Sequence, residues 1–126
     1  MMVRKAAPVT DTELAILEIL WDKQPCTVRD IVEALYHRRS RALHATVKSL
    51  LERLEAKGFI SCNKSGFAHQ FSAQVSRGEY VAHQLEKLAA NHFGGSLAPV
   101  LLTLVDKIKL SRKDREAIVK VIEGIQ

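Results

Sequence analysis

Three arginines and a histidine crowd into His37-Arg38-Arg39-Ser40-Arg41, and Ala45, Lys48 and Ser49 follow Arg41 at helical spacing. Residues three and four apart share a helix face, so these positions present cations, a hydroxyl and a methyl group together. Guanidinium and ammonium groups neutralise phosphates, and short polar groups or a methyl reach base edges in a major groove. Lys64, in the turn Lys64-Ser65-Gly66, adds a cation on a second element. Thr27 opens a short helix whose first amides suit a phosphate, although plain capping explains a threonine there equally well. A charge run is commonly only a solvated face. What favours phosphate contact for Arg38, Arg39 and Arg41 is their place at the entry to a helix.

Other chemistry finds little support. No nucleophile elbow, zinc-protease helix or phosphate-binding glycine loop occurs, which argues against an enzyme. His37, His44, His69, His83 and His92 form no tight ligand set by spacing, and Cys26 and Cys62 stand far apart without a second ligand near either. No metal and no cofactor is expected. Both cysteines read as small reduced side chains, which fits a cytoplasmic protein.

The basic face requires a helix beneath it. Leu43, Val47, Leu50, Leu51 and Leu54 recur at i, i+4, i+7, i+8 and i+11, one apolar stripe opposite Arg41, Ala45, Lys48, Ser49 and Glu52. Gly58 after Lys57 stops that helix. Upstream, Thr10-Asp11-Thr12-Glu13 is a capping box for a first helix bearing Leu14, Ile16, Leu17, Leu20 and Trp21, which ends near Lys23-Gln24-Pro25. Thr27 caps a second helix through Tyr36, with Asp30 in its first turn and Val28, Ile31, Val32 and Leu35 on its apolar side. His37 to Arg41 form the linker into the third helix. Phe59–Asn63 and Phe67–Ser72 read as two strands, with Phe67, His69 and Phe71 alternating onto one face that packs on the helices. Helix, helix, helix, hairpin is the order of a winged helix-turn-helix, a mainly α fold that holds DNA with its third helix in the major groove.

From Ser76, a capping box with Glu79, the pattern is helical throughout. Tyr80, Val81, Leu85, Leu88, Ala89 and Phe93 make a wide apolar face that ends at Gly94-Gly95. A helix with Pro99 in its first turn carries Val100, Leu101, Leu102, Leu104, Val105 and Ile108 almost all round. Ser111 caps a last one bearing Ile118, Val119, Val121, Ile122 and Ile125. Three short helices cannot bury that much apolar surface alone. A second copy solves the problem, so Leu85, Leu88, Phe93, Val100, Leu101, Leu104, Val105, Ile118 and Ile122 are the expected homodimer contacts. The expected division is residues 1–75 for the winged helix and 76–126 for dimerisation.

Composition sets the bounds. With 47% hydrophobic and 26% charged residues the chain is an ordinary soluble globular protein. Net charge is +5, split almost evenly: residues 1–75 carry 11 Lys/Arg against 8 Asp/Glu, and 76–126 carry 8 against 6. The local basic cluster therefore says more than the total. No stretch reaches the ~18 apolar residues that cross a bilayer, and no apolar run follows Arg4 and Lys5 as in a signal peptide.

The segments TDTELAILEILWDKQPCTVRDIVEAL, ATVKSLLERLEAKGFI, FAHQFSAQVSRGEY and HFGGS, in that order, resemble the penicillinase repressor family over about residues 8–124. The resemblance implies a two-domain repressor whose winged helix reads a palindromic operator in double-stranded DNA while its C-terminal helices intertwine in a homodimer. It implies control of genes for β-lactamase or related stress responses. Carried over by position, the recognition helix is His44 to Lys57, with Thr46, Lys48 and Ser49 near DNA; helical geometry alone puts Thr46 on a flank. A regulatory protease cuts an Asn-Phe bond in the β-lactamase branch, where this chain has Thr103-Leu104. The copper-responsive branch ends in a cysteine cluster, and this chain has no cysteine after Cys62. Two rival readings stay open: a winged helix used to bind protein, and a repressor controlled directly by a ligand or metal.

Overall fold

The computed structural model describes residues 8–107 and 110–124, without the Ile122 side chain, so the expectations placed on residues 1–7, Ile108, Ile122 and Ile125 fall outside it. Three helices come first: α1 (Asp11–Lys23), α2 (Val28–Tyr36) and α3 (Arg41–Ala56). Each start has a sequence cause. Thr10 and Glu13 form a reciprocal capping box on α1, Thr27 and Asp30 form one on α2, and the Ser40 hydroxyl accepts from the Leu43 amide on α3. Each such cap is worth about 1 kcal/mol. The turn between α2 and α3 is set by His37, whose backbone is left-handed at φ 59 and whose amide closes α2 on Glu33. Histidine tolerates that region better than bulky or β-branched residues do. The helix therefore begins one residue earlier than the linker expectation allowed: Arg41 is its first residue, because Ser40 rather than Arg41 supplies the cap.

The apolar stripes of the three helices meet in one core. Ile16, Leu17, Leu20, Ile31, Val32, Val47, Leu51 and Leu54 are almost wholly buried there, each such burial worth about 1.5–3 kcal/mol before entropy is counted. Gly58, left-handed at φ 88, ends α3 and turns the chain into the wing. The wing is an antiparallel pair, β1 (Ile60–Asn63) and β2 (Gln70–Ala73), with Ile60 opposite Ala73 and Asn63 opposite Gln70. Cys26 extends it by exchanging both backbone hydrogen bonds with Phe71, at 3.0 and 2.7 Å.

The wing corrects one expectation. Its second strand starts at Gln70, not Phe67, and the connecting loop is residues 64–69 rather than a three-residue turn. Asn63 folds that loop back, its side-chain oxygen accepting from the Ser65 amide and hydroxyl at 2.9 and 2.7 Å. Of the three alternating residues only Phe71 packs in the core; Phe67 is completely exposed and His69 is exposed. Phe71 is held on both sides, by Cys62 of β1 and by Cys26.

The second half supplies α4 (Arg77–His92), α5 (Ala98–Lys107) and α6 (Arg112–Gly124). Ser76 and Glu79 cap α4 reciprocally, and Ser111 caps α6 through the Asp114 amide. The chain divides into two compact units between Val81 and Ala82, inside α4. The first turn of α4 stays with the winged helix for a physical reason: Tyr80 sits between Trp21 and Phe59, with ring centroids 5.8 and 6.3 Å apart. The Trp21 indole donates to the Val75 carbonyl at 2.9 Å, and Arg77 lies over the Trp21 ring. No helix among the described residues is long and apolar enough to cross a membrane.

Candidate nucleic-acid interface

α3 buries one side and bares the other. Val47, Leu50, Leu51 and Leu54 are buried, while Arg41, His44, Ala45, Thr46, Lys48 and Ser49 are all exposed. These six side chains thus occupy the outward surface of the second helix of a helix-turn-helix, the one such domains lay into a major groove. Arg38 and Arg39 stand exposed in the turn before it. Arg39 approaches Glu33 only to 4.0 Å, with both side chains more than half exposed, so that pair binds weakly. Among the described residues, no carboxylate lies within ion-pair distance of Arg29, Arg38, Arg41, Lys48 or Lys64. Their charge is left for something else.

Thr27 has a definite local task. Its hydroxyl accepts from the Asp30 amide at 3.1 Å while its own amide donates to the Asp30 carboxylate at 3.0 Å. Lys64 is exposed at the start of the wing loop. Between these parts runs a groove of about 450 Å³. Thr27, Val28 and Arg29 line it from α2, His44 and Lys48 from α3, and Ala68 and His69 from the wing loop. Arg29 and His69 were not among the site residues expected from sequence. Arg29 sits exposed at the second position of α2, where nothing in its spacing marks it for a ligand. His69 was assigned to a packed strand that the structure replaces with loop.

No group of three or more His, Cys, Asp or Glu among the described residues is placed to hold a metal ion. Burial pushes both the Cys26 and Cys62 thiols up, with Asp30 and Glu55 respectively adding to the effect.

In the second unit, Ala89 and Val100 are buried and Phe93 is half-buried. Leu85, Leu88, Leu101, Leu104, Val105 and Ile118 remain exposed, from 37% at Leu85 to 63% at Val105. Val100 thus serves the interior of its own unit, while the others present apolar surface. The Thr103–Leu104 bond lies inside α5, with the Thr103 hydroxyl donating to the Pro99 carbonyl at 2.8 Å.

Three helices, a two-stranded wing and an outward basic helix define a winged helix-turn-helix protein of mainly helical build. A family model described as penicillinase repressor matches residues 9–124, and the chain belongs to that family. It is 31% identical over 124 residues to the transcriptional regulator BlaI of Mycobacterium tuberculosis, covering 95% of this chain and 89% of that protein. It is 22% identical to the methicillin resistance regulatory protein MecI of Staphylococcus aureus, covering 96% of this chain and 98% of that one. The penicillinase repressor of Bacillus licheniformis is 18% identical, with 96% and 94% covered. The family is one of transcriptional repressors, not enzymes, and membership supports DNA binding by this chain.

Proposed function

We propose that this chain acts in the cytoplasm as a homodimeric, sequence-specific repressor that reads a roughly palindromic operator of a β-lactamase or related stress-response operon. The observation that carries the reading is the outward surface of α3, where Arg41, His44, Ala45, Thr46, Lys48 and Ser49 are exposed, flanked by Arg38 and Lys64, which have no carboxylate within ion-pair distance among the described residues. Lys48 and the Ala45 methyl meet base edges, and Arg38, Arg39, Arg41 and Lys64 set the register on phosphates. The apolar side chains left bare in the second unit join two copies. A two-fold dimer presents two reading helices, and repeats the same half-site in opposite directions.

Selection of bound duplexes from a random library tests this directly. The expected product is a pair of inverted half-sites separated by about one helical turn or a multiple of it. Enrichment of a single unrepeated site, or no enrichment over non-specific binding, would refute the proposal.

A further inference from the structure

Every ionisable side chain lining the groove between α2, α3 and the wing loop is a base: Arg29, His44, Lys48 and His69. Three separate elements contribute them, and no carboxylate lines the groove. Asp30, one residue along from Arg29, has its carboxylate on the Thr27 amide at 3.0 Å. The α2 capping box consumes the amides of Thr27 and Asp30, which leaves those of Val28 and Arg29 as first-turn donors without an intrahelical acceptor. Both of those residues also line the groove. Backbone donors at a helix start, a guanidinium, an ammonium and imidazole N–H groups are together the chemistry that holds a phosphate.

We propose that this groove seats a phosphodiester of the DNA backbone, with Arg29 as the cation on α2 and His69 as a hydrogen-bond donor from the wing. The assignment rests on the DNA-binding reading and extends it to residues outside the exposed face of α3. Continuity favours a backbone strand over a small free anion. His44 and Lys48 belong both to the groove and to the exposed surface of α3, so a duplex laid on that surface brings a strand to the groove's mouth. A phosphate here fixes register and carries no sequence information.

The test uses the full-length protein and a random-sequence duplex, with binding followed by fluorescence anisotropy over a salt series. Losing one phosphate contact lowers the log–log salt slope by about 0.9, so the Arg29→Ala defect should be three- to four-fold larger near 50 mM than near 200 mM salt. His69→Ala should weaken binding to random and operator-like duplexes by the same factor. Arg112→Ala makes the same charge change on a side chain that is 93% exposed on α6, and should leave the slope unchanged. Thermal melts accompany each variant, and Arg29→Gln checks that any loss follows the charge rather than a disturbed helix. An unchanged slope for Arg29→Ala, or an equal drop for Arg112→Ala, would overturn the assignment while wild-type binding left the DNA-binding reading intact. Absence of wild-type binding to any duplex would refute that reading, and this one with it. Inorganic phosphate is the last arm: if it raises the wild-type melting temperature but not that of Arg29→Ala, while Arg29→Ala leaves the duplex salt slope unchanged, the groove is a small-anion pocket and the backbone assignment is wrong.

Discussion

The Lys57 ammonium donates a 2.6 Å hydrogen bond to the carboxylate of Glu13, a side chain with no solvent exposure at all. Lys57 lies just past the end of α3 and Glu13 in the first turn of α1, so the pair ties the entry of one helix to the exit of another. The same ammonium donates to the Pro8 carbonyl at 2.9 Å, and Arg53 stands 3.6 Å from the other carboxylate oxygen. Burial alone would push the Glu13 pKa up. The Lys57 hydrogen bond, the Thr10 amide and the two neighbouring cations outweigh it and hold the carboxyl below its ordinary value.

A depressed carboxylate pKa stabilises the fold above its unfolded value, and that stability disappears as pH falls through the folded value. Urea midpoints of the wild type and of Glu13→Gln should therefore differ at neutral pH and converge below about pH 4.5, the ordinary value for this group. A gap that stays constant through that range would show that folding does not lower the Glu13 pKa. Lys57→Met leaves a buried charge without its main partner and should cost about 3 kcal/mol, read in the same titration.

The two wing phenylalanines should behave oppositely. Phe71→Ala empties a core position and should cost about 3–5 kcal/mol. Phe67→Ser removes a ring that touches only solvent, so the urea midpoint should not move. A clear loss of stability in the second variant would mean that Phe67 packs somewhere the fold does not place it.

Most of this architecture was legible in the chain because local chemistry and global packing agree. Thr10 and Ser76 each cap a helix in a box with the glutamate three residues on, Thr27 and Ser111 cap theirs, and the leucine stripe of α3 is the stripe that is buried. The wing was harder. Alternation at Phe67, His69 and Phe71 imitates a strand, but β2 begins only at Gln70, and the pairing of Phe71 with Cys26 is a contact between distant residues that periodicity cannot encode. The Glu13–Lys57 pair was hidden for the same reason: Glu13 was visible as half of a capping box, and its burial depends on where α3 ends. Arg29 and His69 come together only through the tertiary fold.

Lys48→Ala should weaken operator binding by roughly 1–3 kcal/mol and relax base preference if the ammonium meets a base edge. Its position, exposed on α3, makes the fold indifferent to the change. Anisotropy on operator and scrambled duplexes decides it. Equal losses on both would move Lys48 to the phosphate contacts, and no loss would remove it from the interface.

Leu101 and Leu104 are 57% and 38% exposed, so a glutamate at either should be tolerated by the monomer and rejected by a dimer interface. Linking two half-sites raises avidity by about 10²–10⁴-fold. Leu101→Glu and Leu104→Glu should each lose affinity for a full operator within that span and sediment as monomers at concentrations where the wild type is a dimer. A fragment ending at Val81, which keeps Tyr80 against Trp21, should fold, remain monomeric and bind as weakly as these variants. Wild-type protein that sediments as a monomer would refute the dimer assignment.

β2 is bonded on one side by β1 and on the other by Cys26, and the Ala73 amide is taken by the Gln24 side chain at 2.6 Å. The hairpin is thus fastened at its base, while residues 64–69 between its strands are all exposed. Insertions, deletions and substitutions in that loop can accumulate without loosening the domain beneath. The tip of the wing is where a lineage of such proteins is free to try new contacts, and where a grafted peptide would disturb folding least.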